Sequence, residues 1–196
     1  MNKKRLTLTI LFLGLISITY GQSFNEFTSL LENCGMNFNS PEGFVESPVT
    51  SNPDMLYEYA LKYPDKDFVV RYSIRPITNK NYANDSVKTQ MEGLQTFRNT
   101  QYETVLKAVI FNVSGGSGAG IQPFDKEDVN KEFNADWGGM TFFEMNSDFG
   151  KGFTYCMVVA IHKKDAADAY CFYLSNSKEK LMEYAQPLFH SLRFDP

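Results

Sequence analysis

Histidine and cysteine, the residues that most often carry chemistry, are scarce in this chain: His162 and His190, and Cys34, Cys156 and Cys171. A Ser–His–carboxylate site needs an imidazole held between an activated hydroxyl and an orienting acid. Neither histidine lies in a nucleophile motif, and no G-x-S-x-G elbow occurs. Both therefore read as packing or surface residues. Catalytic zinc takes three protein ligands, which two histidines without an H-E-x-x-H spacing do not supply. The cysteines match no zinc spacing either. They admit one bridge plus a spare thiol, or three buried thiols acting as small hydrophobes. No basic residue sits close in sequence to lower a thiol pKa.

Three further groupings invite a binding role. The glycine-rich run SGGSGAG at 114–120 has backbone N–H groups suited to an anion. It lacks the Lys-Ser/Thr end of a phosphate loop, and Gln122-Pro123 follows where a helix should begin. A surface loop or helix terminator is the favoured reading. The acidic stretch Asp125, Glu127, Asp128, Glu132 and Asp136 invites calcium, but Val129 and Asn130 stand where a calcium loop needs an oxygen ligand and a glycine. A helix cap with first-turn carboxylates fits it better. Asp136, Glu144 and Asp148 flank Trp137, the only tryptophan, in the aromatic-plus-carboxylate grouping that binds sugars. The competing reading is a core Trp beside a glycine turn at Gly138-Gly139. The candidate ligand contacts are thus Asp136, Trp137, Gly116 and Gly118, with no catalytic or metal-ligating residue and no cofactor called for.

Those residues must be positioned by elements legible in the pattern. Ser23 with Glu26 makes a capping box before Phe24, Phe27, Leu30, Leu31 and Cys34, which predicts a helix over 24–34. Met36 and Phe38 alternate with polar residues ahead of a Pro41-Glu42-Gly43 turn. Met55–Tyr63 and Phe68–Ile74, joined by Pro64-Asp65-Lys66-Asp67, read as a β-hairpin. Asn84 or Asp85 caps a helix carrying Val87, Met91, Leu94 and Phe97. A second helical stripe, from Tyr102 to Val113, ends at Gly115-Gly116. Asp125 caps a short helix through Phe133, and Met140–Met145 is a strand. Phe153–Ile161 and Ala169–Leu174 are apolar on both faces and predict central strands. Asn176 with Glu179 offers a capping box for a helix that Pro187 breaks, before a short strand at Leu192–Phe194. Elements segregated in this way predict an α+β fold, a mostly antiparallel sheet covered by helices.

The amino terminus supplies the setting. Lys3, Lys4 and Arg5 precede an apolar run from Leu6 to Ile18, and Thr19-Tyr20-Gly21 brings small residues before Gln22. That is the order of a cleavable signal peptide over residues 1–21. The run is shorter than the roughly 20 apolar residues a spanning helix needs, which predicts export to a periplasm or beyond without a stable membrane anchor. The remaining 22–196 suits one α+β domain. The leader holds three of the 19 basic residues and none of the 23 acidic ones, so the processed chain carries about −7. That charge, with no basic stripe, excludes ordinary nucleic-acid binding. The 17 Phe and 11 Tyr residues fit a packed β-containing domain and argue against disorder.

The segment Phe38-Asn39-Ser40-Pro41-Glu42-Gly43-Phe44, the hairpin and helices after it, the late hairpin over 153–174 and the closing helix before Leu192-Arg193-Phe194 together make a familiar order. It resembles the PsbP-like fold family, with its photosynthetic accessory subunits and periplasmic DcrB-type relatives, across residues 35–194. The resemblance implies an α-β-α sandwich that works by binding and has no catalytic machinery. It transfers no residue set. The expectation is an extracytoplasmic, non-enzymatic binding or accessory protein whose partner is a protein or a small ligand. Its rivals are a small secreted hydrolase using carboxylates near Trp137 and a carrier of hydrophobic ligands.

Overall fold

Two apolar runs too long for one-sided burial decide the architecture. Tyr155–Lys163 and Ala167–Ser175 are buried along nearly their whole lengths, so the sheet they form must be covered on both faces. The computed structural model describes residues 24–77 and 85–196, with side chains from 92 onward in the second segment. The predicted signal peptide, the Ser23 cap, Asn84, and the side chains of Val87 and Met91 lie outside the described residues.

In chain order the elements are helix α1 over 24–33, strands β1 (Met36–Phe38), β2 (Val45–Glu46), β3 (Tyr59–Lys62) and β4 (Phe68–Pro76), and helix α2 (Asp85–Val113). Strand β5 (Gln122–Pro123), helix α3 (Lys126–Phe133), strand β6 (Trp137–Glu144) and helix α4 (Ser147–Gly150) follow. Strands β7 (Tyr155–Lys163) and β8 (Ala167–Ser175), helix α5 (Lys178–Ala185), a 3-10 turn (Gln186–Leu188) and strand β9 (Leu192–Phe194) complete it. Seven strands pair antiparallel in the order β2-β3-β4-β8-β7-β6-β5, and β1 pairs with β9 in a separate ribbon. No helix among the described residues is long and apolar enough to cross a membrane.

Strand alternation divides the core in two. Val70, Tyr72, Ile74, Val159, Ile161, Cys171 and Tyr173 face α1, α3, α5 and the ribbon, where Phe27, Leu31, Val129, Phe133, Leu181 and Phe194 meet them. Val158, Ala160, Tyr170, Phe172 and Leu174 face α2 and α4, packing on Leu106, Ile110, Val113 and Phe149. The fold is therefore the expected α+β sandwich, helices on both faces of an antiparallel sheet. The aromatic excess goes largely into ring–ring packing. Phe27 stacks on Tyr59 at 4.7 Å, and Phe38 meets Tyr72 edge-on at 5.1 Å.

Three local expectations need correction, and a fourth holds. The first hairpin strand begins only at Tyr59, because the preceding segment is held by side chains as well as backbone: Ser73 Oγ and Arg75 Nη2 donate to Leu56 O, and Glu58 takes Ile74 N and Arg75. The two helical stripes after Asp85 are found as expected: α2 consists of two helical segments that meet at a kink at Gln101, with φ −115° and ψ 15°. The α5 cap is Ser177, whose Oγ accepts from Lys180 N. Asn176 instead bonds Asp67 and Gly152 O and accepts from Thr154. Trp137-Gly138-Gly139 is no turn but the start of β6. A Cβ on Gly138 would stand 3.1 Å from the Phe124 ring and 3.2 Å from Val129, so glycine admits the α3 layer close to the strand.

Candidate ligand-binding cleft

Strand β6 places the sequence candidates at its two ends. At the start, Trp137 pairs with His162 across the ladder, and its ring lies 5.1 Å from that of Tyr102. Tyr102 in turn stacks on the His162 imidazole at 4.2 Å and 18°. His162 Nδ1 lies 2.7 Å from Asp168 Oδ1, and both residues are buried. Arg98 Nη2 reaches the other Asp168 oxygen at 3.0 Å and also donates to Arg75 O, while Nη1 donates to Pro76 O. This imidazole–carboxylate–guanidinium chain ties α2 to the C-terminal end of β4 and to the β7–β8 hairpin. His162 is thus a packing residue, as its sequence context suggested, but a hydrogen-bonded one. Asp136 is exposed, and its carboxylate accepts Lys164 N at 2.8 Å, which holds it on the β7–β8 turn.

Gly116 and Gly118 sit by the opposite end of β6. Gly115, Gly116 and Gly118 have φ of 67°, 92° and 68°, and Gly116 N returns to Phe111 O at 2.8 Å. That is a helix terminator. The loop is fixed by Gly118 N donating to Ser114 Oγ, and Asn146, just past β6, bonds Val113 O and Asn112 O. The four candidate contacts therefore do not converge. The same geometry separates the proposed hydrolase carboxylates. Asp136 precedes β6 and Glu144 ends it, so at ~3.3 Å per residue they stand about 25 Å apart. Paired glycosidase carboxylates need roughly 5–10 Å.

A cleft of about 320 Å³ opens between β5 and α3 instead. Gln122, Pro123 and Phe124 form one side, Asp125, Asp128, Val129, Glu132 and Phe133 the other, and Phe189 closes one end. Val129 and Phe133 are buried anchors of α3, and their burial turns Asp128 and Glu132, one helical turn apart, outward along the rim. Phe124 lies parallel to Phe133 at 6.4 Å, and Phe189 is fixed by stacking on Tyr173 at 5.9 Å. Asp125 caps α3 through Glu127 N and Asp128 N, as expected. No Lys or Arg lines the cleft, and His190 Nε2 stands 3.8 Å from Glu132 Oε2 at its rim. Such a site suits a positive charge on an apolar stem, with carboxylates for the head and rings for the stem.

The acidic members of this cleft were visible in the sequence as a cap. Phe124 and Phe189 were not, because 64 intervening residues carry no signal that the chain returns there. Among the described residues no three His, Cys, Asp or Glu side chains converge as metal ligands. The three cysteines are free and buried. Burial pushes the Cys34 thiol up to about 11 and the Cys171 thiol up to about 12, away from nucleophilic use.

No protein-family model matches the chain, and no curated protein matches it. Among solved structures it is similar to the solution structure of cyanobacterial PsbP from Synechocystis, at 10% sequence identity and a TM-score of 0.36. That match covers 82% of this chain and 87% of the other.

Proposed function

We propose that this is an extracytoplasmic, non-enzymatic binding or accessory protein that takes a cationic group of its partner in the cleft between β5 and α3. The observation that carries this reading is the cleft's lining of three phenylalanine rings and three carboxylates with no lysine or arginine to neutralise them. An ammonium or guanidinium group on an aliphatic stem satisfies both surfaces at once. The leader pattern at residues 1–21 supports export. The engagement of His162 with Asp168 and Tyr102 supports binding over turnover, since that imidazole is already committed on the ring face and at Nδ1.

Calorimetric titration with agmatine, and separately with a short lysine-rich peptide, tests the reading. Saturable binding of either that weakens at least about tenfold in Asp128→Asn/Glu132→Gln supports it and tells a free amine from a protein partner. Heat that does not saturate, or that is unchanged in the double variant, overturns it.

A further inference from the structure

On the other face of the sheet, far from this cleft, one cation has no acid. Arg71 in β4 points into the layer covered by α4 and the 47–58 segment and is 5% exposed. Its guanidinium carbon lies 5.1 Å from the centre of the Tyr57 ring and 4.9 Å from that of Phe149. Nη1 donates to Phe149 O, its one side-chain hydrogen bond among the described residues. Among those residues no carboxylate pairs with it. Burial lowers its basicity, and its titratable neighbours are the Tyr57 phenol and the buried Cys156 thiol rather than an acid. Every other arginine or lysine ion pair among the described residues is more exposed on its cationic side than Arg71.

A buried charge without a counter-ion is costly, and two aromatic rings offset only part of that cost. The donors left over matter most. Tyr170 Oη is the one buried side-chain nitrogen or oxygen, among the described residues, that is sealed and unpartnered. Nε and Nη2 of Arg71 are not among the sealed atoms, and the residue as a whole keeps 5% exposure. Rings near the guanidinium, one Nη1 bond that fixes its rotation, and a free Nε/Nη2 edge form a preorganised two-point donor.

We propose that Arg71 is the anchor of an anion-binding site that takes a carboxylate edge-on, one oxygen on Nε and one on Nη2. The planar fork matches a carboxylate's two oxygens, and the walls, Tyr57 and Phe149, favour a small or flat organic acid over a hydrated inorganic ion. The site is separate from the β5–α3 cleft and of opposite charge, so the two stand or fall independently.

The test uses the whole processed protein and sodium acetate, with sodium chloride holding ionic strength constant. The Arg71 Nε–H resonance should shift saturably with acetate, and the melting temperature should rise over the same range. In Arg71→Met, which keeps the apolar stem, the melting response should vanish. Should that variant fail to fold, the wild-type Nε–H titration decides alone. An Nε–H resonance that does not move up to high acetate, or an equal thermal response in a folded Arg71→Met, overturns the proposal. Benzoate binding more tightly than acetate supports the aromatic walls, and phosphate competing equally well overturns the carboxylate assignment.

Discussion

Single side chains on the α2 face of the sheet carry more charge than a core usually holds. Asp168 is the pivot, because it answers both His162 and Arg98 from a nearly sealed position. Asp168→Asn should leave a buried imidazole and a half-buried guanidinium underpaired and cost about 2 kcal/mol, measured by urea unfolding. Asp136→Asn, whose carboxylate is exposed and meets only a backbone N–H, should cost under about 1 kcal/mol. The thiols set an alkaline limit. Their raised pKa values mean that the folded chain holds these protons more tightly than the unfolded one. Stability from this source is fully present below the ordinary thiol value of 9.0 and is lost as pH rises towards 11 and 12. A denaturation midpoint that is flat to pH 8.5 and falls above pH 9, less steeply in Cys34→Ala, is the expected result. None of this was legible from composition: His162 and Asp168 are six residues apart, yet only the β7–β8 register sets them opposite each other.

At the level of elements, what could be read from sequence was what depends on neighbours in the chain. The Asp125 cap, the Pro187 break and the two central strands follow from local chemistry or from the length of an apolar run. Strand β5 was invisible, since two residues ending in a proline have no period, and its pairing is dictated by Met140 and Gly139 across the ladder. The α5 cap was misplaced by one residue because Asn176 and Ser177 are both competent, and only the Asp67 and Gly152 partners decide between them. Ser177→Ala should therefore cost about 1 kcal/mol and fray the first turn of α5, visible as faster amide exchange at 180–182. Helix α2 holds to the sheet differently on either side of Gln101: by Arg98, Gln95 and Asn99 before it, and by Leu106, Ile110 and Val113 after it. Arg98→Ala should deprotect the amides of 92–100 while those of 106–113 keep their protection in hydrogen-exchange mass spectrometry.

Seen whole, the molecule sorts its chemistry by layer. The α1/α3/α5 side packs an interior that is nearly all apolar and aromatic. The α2/α4 side buries Arg71, Ser73, Thr141, His162 and Asp168 within its packing. The sandwich itself could be read from two long apolar strands that demanded cover on both faces. The location of the cleft could not, because it joins residues 122–133 to residue 189 through tertiary packing alone. Gly138→Ala tests that joint. Its added methyl would press on Phe124 and Val129, costing about 1–3 kcal/mol and weakening agmatine binding along with stability.

The β1–β9 ribbon gives the chain a timetable. Met36 lies opposite Phe194, Asn37 Nδ2 donates to Asp195, and Asp195 N returns to Gly35 O, so the first described strand is completed by nearly the last residues. A chain made amino end first must wait for residue 194 before Met36 and Phe38 have a partner. Until then the aromatic cluster of Phe27, Phe38, Tyr59 and Tyr72 lacks that cover. The tail is thus the clasp that closes this layer last.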